Sequence, residues 1–70
     1  MNHTLIACRK ELGWTQTDMA KVIGISLDSY YRKETGQIQF KQYEMQSIME
    51  ILKDLDENLT IEIVFFNKLY

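Results

Sequence analysis

Three glycines, Gly13, Gly24 and Gly36, fall at nearly equal intervals in a chain that contains no proline, and they punctuate its first half. Glycine takes a left-handed backbone without a Cβ penalty and so commonly stands just past a helix end. The intervals therefore predict three short helices. The first runs from Asn2 or Thr4 to Leu12, with Leu5, Cys8, Arg9 and Leu12 on the three-and-four spacing of one helical face. The second starts at Thr15, an N-cap hydroxyl followed three residues later by Asp18, and continues through Met19, Ala20 and Val22 to Ile23. Ser26 caps the third, Leu27 to Thr35, and Asp28 lies in its first turn, where a negative charge suits the helix dipole.

After a loop from Gln37 to Phe40, apolar residues return at Met45, Ile48, Met49, Leu52 and Leu55, again at helical steps. Acidic residues from Asp54 to Glu57, with Asn58, then break the pattern. Leu59 to Phe66 is rich in β-branched and aromatic residues and alternates at Leu59, Ile61, Ile63 and Phe65, which predicts a strand. No second strand is visible, so its backbone partner would have to come from another copy of the chain, making those four residues a dimerisation surface. The alternatives are a short fifth helix capped by Thr60 and a frayed tail. Residues 1–56 and 57–70 are the two parts of one domain.

The spacing of Gln16, Ala20, Gly24, Ile25 and Tyr30 carries the main inference. Two short helices joined by a tight turn cross steeply, which demands a small residue at their closest approach and a residue tolerant of positive φ in the turn. Ala20 and Gly24 meet those needs, and Met19, Ile23, Ile25 and Tyr30 supply the apolar contacts that lock the pair.

This arrangement resembles the Cro/repressor helix-turn-helix family, also called the XRE family, over Leu5 to Leu52. The resemblance is carried by Cys-Arg-Lys-Glu-Leu-Gly-Trp-Thr-Gln-Thr-Asp-Met-Ala (8–20), Ile-Gly-Ile-Ser (23–26) and Ser-Tyr-Tyr-Arg-Lys-Glu-Thr-Gly (29–36). The last segment is similar to short Gram-positive phage-type regulators. The resemblance implies a mainly α, compact four-helix repressor-like DNA-binding domain, with helices 2 and 3 as the helix-turn-helix. It implies a homodimeric, cytoplasmic transcription regulator, a repressor, inserting residues 27–35 into the major groove of operator DNA.

Carried over by position, the resemblance puts Leu27, Asp28, Tyr31 and Arg32 at base edges, and Gln16, Gln37, Gln39 and Lys41 at phosphates. Arg32 is suited to guanine O6 and N7, Asp28 to cytosine N4, and Leu27 to a thymine methyl. Arg9 and Glu34 match an internal ion pair joining the first and third helices. Lys33 departs from the pattern, at a position usually apolar, which suggests a buried stem with its ammonium in solvent. A rival reading makes the chain an interaction module, the antitoxin or anti-repressor partner of a second protein, docking through its acidic and apolar C-terminus.

Composition bounds these readings. The 70 residues suffice for one small core and leave little interior for an enzyme's pocket, and the net charge is −2. That charge is unevenly distributed. Residues 1–41 hold six Lys and Arg against four Asp and Glu, whereas residues 42–70 hold two against six. Any DNA face therefore belongs to the first forty residues. One cysteine, Cys8, and one histidine, His3, supply neither a disulfide nor a zinc set, and no nucleophile has a base, so no cofactor, metal or catalytic activity is expected. No leader-like or membrane-spanning run is visible. Cys8 reads as core, Trp14 as a partly buried cap, Tyr30 as core against a surface Tyr31, and Glu44 with the acids from Glu50 to Glu57 as a solvated face.

Overall fold

The computed structural model describes residues 2–66 and holds five helices: α1 (His3–Leu12), α2 (Gln16–Ile23), α3 (Leu27–Glu34), α4 (Gln42–Leu52) and α5 (Ile61–Phe66). The local signals explain the first three. Gly13 ends α1 at φ 77° and Gly24 ends α2 at φ 78°. At the start of α2 the Asp18 N–H donates to Thr15 Oγ1 (3.1 Å), while the Thr15 N–H donates to the Asp18 carboxylate (2.9 Å), a reciprocal cap that satisfies two otherwise orphaned donors. Ser26 accepts from the Ser29 N–H (3.0 Å) to open α3, which ends at Glu34 with Thr35 as its C-cap.

The α2–α3 turn is tied through one carbonyl. Ala20 O accepts from both Gly24 N–H (2.9 Å) and Ile25 N–H (3.0 Å), and the buried Ala20 side chain leaves room for the helices to cross. Beneath them lies one core: Leu5 and Cys8 from α1, Met19 and Ile23 from α2, Tyr30 from α3, Met45, Ile48 and Leu52 from α4, and Val64 and Phe65 from α5. Phe40, from the loop before α4, joins the halves. Its ring meets Tyr30 edge-on at 5.9 Å and Phe65 at 5.3 Å, the arrangement that aromatic quadrupoles favour.

The C-terminal segment departs from the strand reading. Residues 61–66 are helical, and no strand occurs among the described residues. Thr60 Oγ1 accepts from the Ile63 N–H (3.2 Å) and caps α5, whose backbone bonds are then made internally, starting with Val64 N–H to Thr60 O. The alternation of Leu59, Ile61, Ile63 and Phe65 was one reading of a nearly continuous apolar run. The same run also offers Ile61, Val64 and Phe65 at helical spacing, and that set packs against α1 and α4. An isolated strand would leave its backbone groups unpaired, whereas a capped helical turn pairs them within the chain. With those bonds made within the chain, residues 61–66 need no second copy to complete a sheet, and Phe65, 8% exposed, is a core residue rather than the dimerisation residue the alternation suggested. The part of the 57–70 tail beyond residue 66 lies outside the described residues.

Candidate nucleic-acid interface

α3 has two faces of opposite character. Tyr30, Lys33 and Glu34 point inward and are buried; Leu27, Asp28, Tyr31 and Arg32 recur at the spacing of a single opposite face and are all exposed. Within that outer face Arg32 Nε lies 3.1 Å from Asp28 Oδ2, one helical turn away, with the side chains 52% and 75% exposed. Leu27 and Tyr31 are each 48% exposed. The face therefore carries one cation, one anion paired with it, an aliphatic side chain and a phenol.

Underneath, Glu34 is a hub. Arg9 holds its carboxylate in a fork, Nε to Oε2 at 2.9 Å and Nη2 to Oε1 at 3.1 Å; Tyr30 Oη donates to Oε2 and Gln16 Nε2 donates to Oε1 at 2.9 Å. Burial pushes the Glu34 pKa up, but hydrogen bonds from Arg9, Tyr30 and Gln16 outweigh it and hold the carboxyl below its ordinary range. The hydrogen bond to Glu34 raises Arg9, against burial, and burial followed by Glu34 pushes the Tyr30 phenol far up. Arg9 also donates to Trp14 O at 2.9 Å, so one guanidinium joins α1, the α1–α2 turn and α3. No buried side-chain polar atom among the described residues lacks a partner.

The remaining positions are placed as follows. Gln16 stands in the first turn of α2, half-buried, with its amide nitrogen turned to Glu34 rather than standing free. Gln37, Gln39 and Lys41 are exposed in the segment after α3; Gln37 Nε2 donates to Thr35 Oγ1 (3.2 Å), and the Gln37 N–H caps α3 by donating to Arg32 O (2.8 Å). Leu59, Ile61 and Ile63 are half-buried around α5, and Phe66 is exposed.

Two residues stand elsewhere than expected. The Lys33 ammonium does not reach solvent: Nζ sits 2.7 Å from both Glu44 oxygens, and the two side chains are 9% and 1% exposed. Glu44 is accordingly not on a solvated face; Oε1 also accepts the Lys41 N–H (2.8 Å) and so caps α4. The reason is mutual. A lysine facing the interior is stable only beside a buried anion, and α4 supplies one in its first turn. Asn2 was likewise missed: its N–H donates to Glu34 O (3.1 Å) and its side-chain amide to Lys33 O (2.9 Å), occupying carbonyls at the end of α3. Only the misfit Lys33 was a signal in the sequence, and it did not reveal its partner.

A family model described as helix-turn-helix matches residues 5–58, from within α1 to the turn before α5. No curated protein and no solved structure matches the chain.

Proposed function

The chain belongs to the Cro/repressor-type (XRE) helix-turn-helix family of DNA-binding transcription regulators, and from that premise we propose that it is a repressor that reads operator DNA with the outer face of α3. The observation that carries this reading is the division of α3 itself: an exposed face of Leu27, Asp28, Tyr31 and Arg32 on a helix whose inner face is fixed by Glu34 and Lys33. A helix that is exposed on one side and immobilised on the other suits insertion into a major groove, because its side chains arrive already placed.

In this reading Gln16, Gln37, Gln39 and Lys41 contact phosphates and set the register. Gln16 would do so with the amide hydrogen not given to Glu34, joined by the free N–H groups at the start of α2. One recognition helix covers a single half-site, so two copies would bind with their helices about 34 Å apart on a pseudo-palindrome. The proposed contact between copies is the apolar margin of α5, formed by Leu59, Ile61, Ile63 and the exposed Phe66, without strand pairing. Occupied promoter DNA would exclude polymerase, in the cytoplasm where that DNA lies. No helix among the described residues is long and apolar enough to cross a membrane.

The test is selection of bound sequences from a random duplex pool, followed by gel shift with Arg32→Ala. A palindromic consensus that Arg32→Ala relaxes is the expected result. If no sequence is enriched even at low salt, the reading is wrong.

A further inference from the structure

Asp28 is out of place on a surface meant for a polyanion. A carboxylate there repels phosphate and lowers the non-specific attraction on which DNA binding rests. Its pairing with Arg32 does little for the fold: both side chains are more than half exposed, and exposed pairs one turn apart on a helix contribute only about 0.3 to 0.5 kcal/mol. Its place in the first turn suits the helix dipole, but the start of α3 is already capped by Ser26 through the Ser29 N–H. The geometry of the pair is more informative. The closest approach is through Arg32 Nε, 3.1 Å from Oδ2, so the carboxylate lies beside the root of the guanidinium.

A guanidinium carries parallel N–H donors, and among the base edges of the major groove only guanine offers two adjacent acceptors, O6 and N7, to meet them. Adenine presents an acceptor beside a donor. An arginine free to swing would satisfy itself equally well on phosphates, with no sequence information. Leu27 and Tyr31, the other members of the face, carry no charge that could hold it. We infer that Arg32 is the guanine reader of this protein and that Asp28 is a positioning residue that aims it, not a second base reader. The inference rests on the DNA-binding reading above and assigns the base and the division of labour within it. Asp28 trades general affinity for discrimination: it neutralises Arg32 towards phosphate and orients it towards guanine.

The experiment compares wild type, Asp28→Ala, Arg32→Ala and the double variant, each checked for helical content, in sequence selection and in gel shifts on a random duplex. In the wild-type consensus one base pair per half-site should be fixed as G·C. Asp28→Ala should lower the preference for guanine at that base pair by roughly tenfold, the scale of a good bidentate contact, while tightening binding to random duplex. Arg32→Ala should abolish the same preference, and adding Asp28→Ala to it should change nothing further at that base pair. The inference is overturned if Asp28→Ala leaves the guanine preference intact, if it alters a different base pair instead, which would make Asp28 an independent reader of cytosine, or if the two substitutions are additive. A wild-type protein that selects no sequence would overturn the DNA-binding reading and this inference together, whereas a clear consensus indifferent to Asp28 would overturn this inference alone.

Discussion

Replacing Lys33 by methionine removes one half of a buried ion pair and leaves the Glu44 carboxylate, 1% exposed, with the Lys41 N–H as its remaining partner. An uncompensated buried charge of this kind costs about 3 to 5 kcal/mol. A domain of this length has a total stability of roughly 4 to 10 kcal/mol, so the single substitution should consume about half of it. At about 4 to 8 °C per kcal/mol for a domain this small, the melting temperature should fall by more than about 12 °C. Glu44→Met should be comparably harmful, because it strands the lysine ammonium and also removes the acceptor at the start of α4. The double variant Lys33→Met/Glu44→Met has no charge left to bury. It forfeits only the helix-start bond, about 1 kcal/mol. Urea unfolding of all four proteins, followed by circular dichroism, measures the cycle. A coupling of several kcal/mol favouring the double variant over the sum of the singles is expected. Single variants that each lose less than about 1 kcal/mol would refute the reasoning, as would a double variant that loses their sum.

Three further outcomes follow from the same geometry. Glu34 has its carboxyl held below the ordinary range, so it binds fewer protons folded than unfolded; its contribution is present above the unfolded carboxylate pKa, near 4, and is lost as pH falls through the lower folded value. The urea midpoint should therefore drop as pH falls below about 4, and Glu34→Gln should flatten that slope. Burial, then Glu11 and Asp56, raises the Cys8 thiol, so Cys8 should react slowly with a thiol reagent at pH 8 and quickly once urea is added; equal rates would place it outside the core. A Cβ built on Gly24 meets nothing within 4 Å, so Gly24→Ala should carry only the left-handed backbone strain, about 1 to 2 kcal/mol by thermal melting, and a larger loss would mean a steric clash.

Much of the fold was legible because its signals are local. Gly13, Gly24, Thr15 with Asp18, and Ser26 each act within a few residues, and each stands where its helix begins or ends. The C-terminus was ambiguous because six apolar residues lie among the eight from 59 to 66, and such a run satisfies period two and period 3.6 alike. What decided between them was the Thr60 cap together with packing against α1 and α4, which is a property of the whole fold. The Lys33–Glu44 pair was invisible for a related reason. Its partners are eleven residues apart across a loop, at no helical or strand period. At the interface, the resemblance could nominate the outer face of α3. It could not show that Gln16 is tethered to Glu34, or that Asp28 and Arg32 touch, since both depend on side-chain direction.

The carboxylate of Glu34, gripped from α1, α2 and its own helix, makes α3 a rigid die. In the proposed complex a helix so held yields little, and a misfitting duplex would have to bend to meet it. Selected operators should then carry preferences at base pairs that no side chain of α3 reaches, favouring steps such as TA or CA that deform easily, because the sequence-dependent stiffness of DNA enters wherever the protein refuses to yield.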